Sequence, residues 1–112
     1  MTFKDVVEKL GLSVLTSDLA GDTEVTGGHT SDLLSDVMAN GRPGSVWITM
    51  QTHQNILAVA KIKDLAGIIV VNGRRPDEDT IQKADEEKVT VVGTDDSAFK
   101  ISGRLYRLME EP

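Results

Sequence analysis

Residues 45–72, SVWITMQTHQNILAVAKIKDLAGIIVVN, limit what this chain can fold into more than any other stretch. Gly67–Val71 is apolar without alternation, too short for a helix, and its Ile-Ile-Val-Val core is β-branched throughout. Such a run is a strand buried on both faces, which belongs inside a parallel sheet. Ser45–Thr49 reads as a second strand. Between them Ile56, Val59, Ala60 and Lys63 follow one helical row, while Gln54, Lys61 and Asp64 can share a polar face. Strand, helix and strand of this length predict a parallel βαβ unit with a right-handed crossover.

The flanking segments extend that unit. Thr2 can cap a first helix in which Phe3, Val6, Val7 and Leu10 share a face, and Gly11 can end it in a left-handed conformation. Leu12–Thr16 reads as a short strand, Ser17–Gly21 as a loop, and Thr23–Thr26 as a further short strand before Gly27-Gly28. A helix is expected from about Ser31, with Leu33, Leu34, Val37 and Met38 buried, ended by Asn40-Gly41 and turned by Arg42-Pro43-Gly44. After the central unit, Pro76 suits the first turn of a largely solvated helix whose Asp77, Glu78 and Asp79 complement its dipole. Val89–Gly93 is the next buried strand. Asp95 or Ser97 then caps a last helix, with Ala98, Ile101, Leu105 and Leu108 at core spacing and Phe99 and Tyr106 on a neighbouring face. The expectation is one α/β domain over residues 1–112, with Val46–Thr49, Gly67–Val71 and Val89–Gly93 as neighbouring, mainly parallel strands.

Composition removes whole classes of function. Without cysteine there are no disulfides, thiolate metal sites or cysteine nucleophiles. Eighteen acids against twelve bases give a formal charge of −6, which argues against general binding to a nucleic-acid backbone. The longest apolar run, Leu65–Val71, cannot span a bilayer, so no membrane partner is expected. The charged, amphipathic N-terminal stretch lacks a signal-peptide core, and a cytoplasmic protein is the expectation.

The runs Thr26-Gly27-Gly28, Ser31–Val37, Val46-Trp47-Ile48-Thr49 and Ala66-Gly67-Ile68-Ile69 resemble a DRTGG domain over nearly the whole chain. Glu24-Val25 stands where the family has its Asp-Arg. The resemblance implies an accessory module of the kind found beside CBS pairs and in phosphotransacetylase-like proteins. Its fold kin are the N-terminal domains of HPr kinase and, more distantly, of Mur ligases. It therefore implies a three-layer α/β/α domain with a small mixed, mainly parallel sheet, often dimeric. It implies no catalysis of its own and no kinase-type phosphate-binding loop.

In an open α/β sheet, ligands gather at the carboxyl ends of strands. Three predicted exits share a polar character: Thr49, Gln51 and His53; Asn72, Gly73, Arg74 and Arg75; Thr94, Asp95 and Asp96. Each precedes a helix N-terminus, where free N–H groups favour an anion, and Arg74 and Arg75 can add bidentate contacts to phosphate or carboxylate. The same residues also suit plain helix caps and exposed pairs with Asp77 and Asp79. Thr26, Gly27 and Gly28 join the candidate site through the resemblance; a structural turn is the other reading of that glycine pair.

No catalytic residue, metal or cofactor is assigned. Histidine is the natural proton carrier near neutrality, and His53 stands at a strand-to-helix junction, but no serine or acid lies at a telling spacing. His29 is isolated. Asp32 and Asp36 fall four apart on one predicted helical face, a spacing that suits either a divalent ion or a capped, solvated helix start. Trp47 is expected in the core or as an anchor in an interface. These readings favour a non-catalytic regulatory module that homodimerises and binds a small anionic metabolite, such as a nucleotide, in the service of a partner enzyme. The alternatives are an adaptor for protein partners with no metabolite, and a small enzyme using His53 or the Asp32/Asp36 pair.

Overall fold

The computed structural model describes residues 1–17 and 23–110, so most of the predicted Ser17–Gly21 loop lies outside the described residues. In chain order the elements are α1 (Phe3–Leu10), β1 (Ser13–Val14), β2 (Gly27–Thr30), α2 (Leu34–Asn40) and β3 (Ser45–Thr49). There follow α3 (Asn55–Ile62), β4 (Gly67–Val70), α4 (Glu78–Glu87), β5 (Val91–Gly93) and α5 (Ala98–Glu110). The strands form one mixed sheet in the order β1-β5-β4-β3-β2. β2 to β5 run parallel, and β1 closes the far edge antiparallel to β5.

The βαβ unit predicted from 45–72 is present, with β3 and β4 adjacent and in parallel register, Trp47 beside Ile68 and Thr49 beside Val70. Every residue of β3, β4 and β5 is buried, as strands covered on both faces must be. Three successive crossovers place α2, α3 and α4 on one face, where Val37, Ile56, Leu57 and Ala84 pack on Trp47, Ile68, Val70 and Val91. Same-handed crossovers in a steadily advancing strand order require helices on a single side. α1 and α5 cover the other face, burying Phe3, Val6, Ile101 and Leu105 against Val46, Ile48, Ile69 and Val92. The result is a three-layer α/β/α fold. Phe3 lies so tightly on β4 that a Cβ at Gly67 would run into its ring.

The local signals around α1 hold. Thr2 Oγ1 accepts the Asp5 N–H at 3.2 Å, Asp5 accepts the Thr2 N–H at 2.9 Å, and Gly11 ends the helix at φ 67°. Ser97 rather than Asp95 caps α5, its Oγ accepting the Lys100 N–H at 3.2 Å. Asp77 is the N-cap of α4, which leaves Pro76 just outside the helix instead of in its first turn.

Two expectations fail nearer the N-terminal edge. The second short strand is Gly27–Thr30, not Thr23–Thr26, where Glu24 makes only an isolated bridge to Thr2. GGHT has little strand propensity; its conformation follows from its register with Ser45–Ile48, a tertiary contact that overrides local preference. α2 begins at Leu34 and buries only Val37, leaving Leu33 66% exposed and Met38 exposed. A two-turn helix over the outermost strand has too little sheet beneath it to cover four side chains. Trp47, by contrast, meets the first of its two expected places: it is fully buried in the core, and its indole N–H donates to the Ser31 carbonyl at 2.8 Å.

Candidate functional site

The first strand exit is closed upon itself. Thr49 is 1% exposed, and its hydroxyl donates to Asp32 Oδ1 at 2.9 Å; the Met50 N–H donates to the same oxygen at 2.8 Å. The Gln51 N–H returns to Thr49 Oγ1 at 3.1 Å, and Gln51 Nε2 reaches the Asp32 carbonyl at 2.9 Å. His53 Nδ1 accepts the Asn55 N–H at 3.1 Å, which satisfies one of the free donors at the start of α3. Thr49, Gln51 and His53 therefore hold local structure, and His53 has a cap's geometry.

The second exit is different. Asn72 and Gly73 take successive left-handed conformations, φ 62° and 69°, which Asn and Gly tolerate best among the residue types. Their N–H groups donate to the carbonyls of Asp96 and Thr94, each at 2.9 Å, and the Thr94 N–H donates to Val70 at 3.1 Å. The second and third exits are thereby laced together by backbone bonds. Arg74 and Arg75 project from this pinned loop, exposed, and neither guanidinium forms an ion pair among the described residues.

The pairing expected with Asp77 does not occur, because Asp77 Oδ1 accepts the Thr80 N–H at 2.8 Å as the cap of α4. That backbone hydrogen bond holds the Asp77 carboxyl below the usual carboxylate range. It also occupies the start of α4, so the anion preference of a free helix N-terminus is already met from within. Asp96 is likewise engaged, with Arg104 at 3.3 Å and Lys100 at 3.6 Å.

Around the Arg74-Arg75 loop lie two clefts rather than one crevice. The first, about 500 Å³, has Gln51, Thr52 and His53 on one wall and Arg75, Asp77 and Asp79 on the other. The second, about 390 Å³, is lined by Gly73, Arg74, Arg75, Thr94 and Asp95 together with Ser13 and Leu15 of the β1 region. Arg75 lines both, so the loop is a cationic ridge between two polar hollows. Each hollow also contains carboxylates, which makes it a mixed site and not a purely positive bowl.

Thr26, Gly27 and Gly28 do not join these clefts. β2 is parallel to β3 with Gly27 beside Ser45, at the opposite end of the strand from Thr49. Four residues of strand separate the two by roughly 13 Å. Thr26 Oγ1 donates to the Pro43 carbonyl at 2.7 Å, and Gly27 and Gly28 line a third, more apolar cleft of about 430 Å³ under Leu105, Tyr106 and Met109 of α5.

Asp32 and Asp36 do not share a helical face either. Asp32 precedes α2 and latches the first exit, whereas Asp36 sits 2.8 Å from His29 Nε2 and accepts Asn40 Nδ2 at 2.9 Å. The His29 contact is the main reason the Asp36 carboxyl falls to about 2. Among the described residues no three His, Asp or Glu side chains cluster as metal ligands would. No described helix is long and apolar enough to cross a membrane.

Sequence reasoning missed Asp32, Ser13 and Leu15 as parts of these exits. Asp32 looked like an ordinary helix-start acid, and the β1 residues enter only because β1 returns antiparallel beside β5.

No family model matches the sequence, and no curated protein matches it. Among solved structures, a similar one is that of the CBS and DRTGG domains of the regulatory region of Clostridium perfringens pyrophosphatase, complexed with the activator diadenosine tetraphosphate. It superposes with a TM-score of 0.67 at 16% identity, over 91% of this chain and 44% of that chain. The chain thus spans less than half the length of that polypeptide. The likeness is one of fold, and it supports a DRTGG-like fold for residues arranged as described above.

Proposed function

We propose that this chain is a non-catalytic regulatory module that homodimerises and senses a small anionic metabolite, such as a nucleotide, at the carboxyl edge of its sheet. The observation that carries this reading is the Asn72–Arg75 loop, pinned by backbone bonds to the third exit, with two guanidiniums that no carboxylate of the described chain neutralises. A fixed backbone with free charge suits a phosphate-bearing ligand, since binding then has to order the two side chains but not the loop that carries them. Arg74 and Arg75 are the anion contacts in this reading, with Thr94 and Asp95 in one flanking cleft and His53 in the other as polar neighbours. A phosphate on the ridge with a polar head in one hollow fits a mononucleotide or a longer phosphoanhydride. The similar solved structure, a regulatory region in complex with a dinucleotide activator, is consistent with that ligand class.

The net charge of −6 works in the same direction, because it repels long polyanions while leaving a local cationic ridge for a small one. A thermal-shift screen against nucleotides and phosphorylated metabolites tests the reading, since a ligand that binds only the native state raises the midpoint by mass action. A rise with a nucleotide supports it. A second reading, an adaptor that binds a partner protein and no metabolite, is favoured by the exposed Phe99, Tyr106 and Leu33. It takes precedence if no small anion shifts the midpoint and a protein partner does.

A further inference from the structure

The two edges of the sheet are finished differently. β1 ends one edge with two residues; β2 ends the other with four, and nothing among the described residues pairs with its outer side. Ser31 N–H donates to the Ile48 carbonyl at 3.2 Å, so strand alternation turns the N–H and C=O of Gly28 and Thr30 outward, away from β3. An open strand edge of this kind is a template for another strand, and GGHT contains no proline, lysine or carboxylate of its own to blunt it.

α5 lies over this same edge. A Cβ on Gly28 would meet Leu105 at 3.0 Å, and Thr30 Oγ1 is 2.6 Å from Ser102 Oγ, so α5 runs antiparallel to β2. The flank of α5 that overhangs the edge carries Ser102, Tyr106 and Met109, which line a cleft with Gly27, Gly28 and Thr30, while Phe99 and Gly103 stand further round the helix towards solvent. Phe99 is 92% exposed and Tyr106 70%, and there is open space where a Gly103 Cβ would stand.

The geometry points to a second copy of this chain docked edge to edge against β2, giving a sheet that continues across a two-fold axis with the two α5 helices antiparallel on one face. The proposal deepens the homodimeric reading above and rests on it. The packing distance fits. α5 packs over both β2 and β3, and an axis above the gap between them lies about half a strand spacing inside the edge. Adding that offset twice to one strand spacing separates the two α5 axes by roughly 10 Å, a normal helix–helix distance.

The side chains also complement themselves, as a two-fold contact demands. With the axis at His29, Gly28 faces the partner's Thr30, and Tyr106 meets the notch at the partner's Ser102 and Gly103. Phe99 meets the partner's Met109, a sulfur–aromatic pair. Two aromatics contribute roughly 300–400 Å² per protomer. Met109, Ser102 and the backbone edge bring the total towards the ~800 Å² per partner of a standard interface.

The test is light scattering of the whole chain at roughly 5–200 μM, a range that spans micromolar dissociation constants, with amide hydrogen exchange read at Gly28 and Thr30. The expected result is a particle of twice the 12.1 kDa protomer, with both amides protected. The double substitution Phe99→Asp and Tyr106→Glu should raise the dissociation constant roughly 100-fold or more and release both amides, as loss of central aromatic anchors does. Both side chains are exposed in the protomer, so circular dichroism should not change; Ile62→Glu, on exposed α3 surface, should leave the dimer intact. A dimer that survives the double substitution with Gly28 and Thr30 exchanging freely would overturn this surface and leave dimerisation standing. A monomer at every concentration would overturn both.

Discussion

The two strand exits at the centre of the sheet begin alike and end differently. Each leaves a buried strand, each carries polar residues, and each leads towards a helix start. At the first, Asp32 collects the Thr49 hydroxyl and the Met50 N–H, Gln51 reaches back to the Asp32 carbonyl, and His53 caps α3. At the second, the backbone alone does the holding, and Arg74 and Arg75 are left over. The lesson is that polarity at a strand end marks a site only where the side chains are not already engaged in holding the turn. A buried hydroxyl with its donor and acceptor both satisfied has nothing left for a ligand.

The largest effect should come from breaking the closed exit. Asp32→Ala leaves the buried Thr49 hydroxyl without its acceptor and should lower stability by about 1–3 kcal/mol, read as a lower urea midpoint with an unchanged slope. Ligand affinity should change little. Arg74→Ala inverts the pattern. Anion affinity should fall by about 1–3 kcal/mol, the usual loss for a charge-assisted hydrogen bond, measured by calorimetric titration. Its urea midpoint should stay within about 0.5 kcal/mol of the parent, because the side chain is exposed and unpaired.

A smaller effect sharpens the same contrast through pH. Asp36, tied to His29 of β2, has a folded pKa lowered from 3.8 to about 2. A depressed carboxyl contributes stability that is fully present above 3.8 and is lost as pH falls towards 2. The stability gap between the parent and Asp36→Asn should therefore shrink across that window in acid titrations of the folded fraction. Arg74→Ala should show no such convergence.

Much of this architecture is legible in the sequence. Ile68-Ile69-Val70-Val71 has no polar break and no helix-length partner, and Phe3, Val6, Val7 and Leu10 repeat at helical spacing, so local pattern and tertiary role coincide. The edge strand was not legible, because Gly27-Gly28-His29-Thr30 becomes a strand only by its register on β3. α2 misled for a related reason: Leu33 and Met38 follow an apolar rhythm, yet the edge of the sheet gives them nothing to pack against.

At the candidate site, the residue types of the Asn72–Arg75 loop could be read directly, including an Asn and a Gly suited to positive φ. Whether its arginines were paired could not, since that depends on where Asp77 and Asp96 direct their carboxylates. Asp77 turns to the Thr80 N–H, and Asp96 to Arg104 and Lys100. The division of the carboxyl edge into two clefts depends likewise on β1 lying beside β5, which no local pattern specifies.

The central claim is that the second exit, and not the first, meets a small anion. A titration of the labelled chain with ATP and with diadenosine tetraphosphate, followed by amide chemical shifts, tests it most directly. The account predicts saturable shifts at Gly73, Arg74, Arg75 and Thr94, with Met50 and Gln51 moving far less and the Arg74→Ala chain responding weakly. Saturable shifts centred on Met50–His53 with Gly73–Arg75 silent, or no saturable shift anywhere while a partner protein perturbs the spectrum, would contradict it.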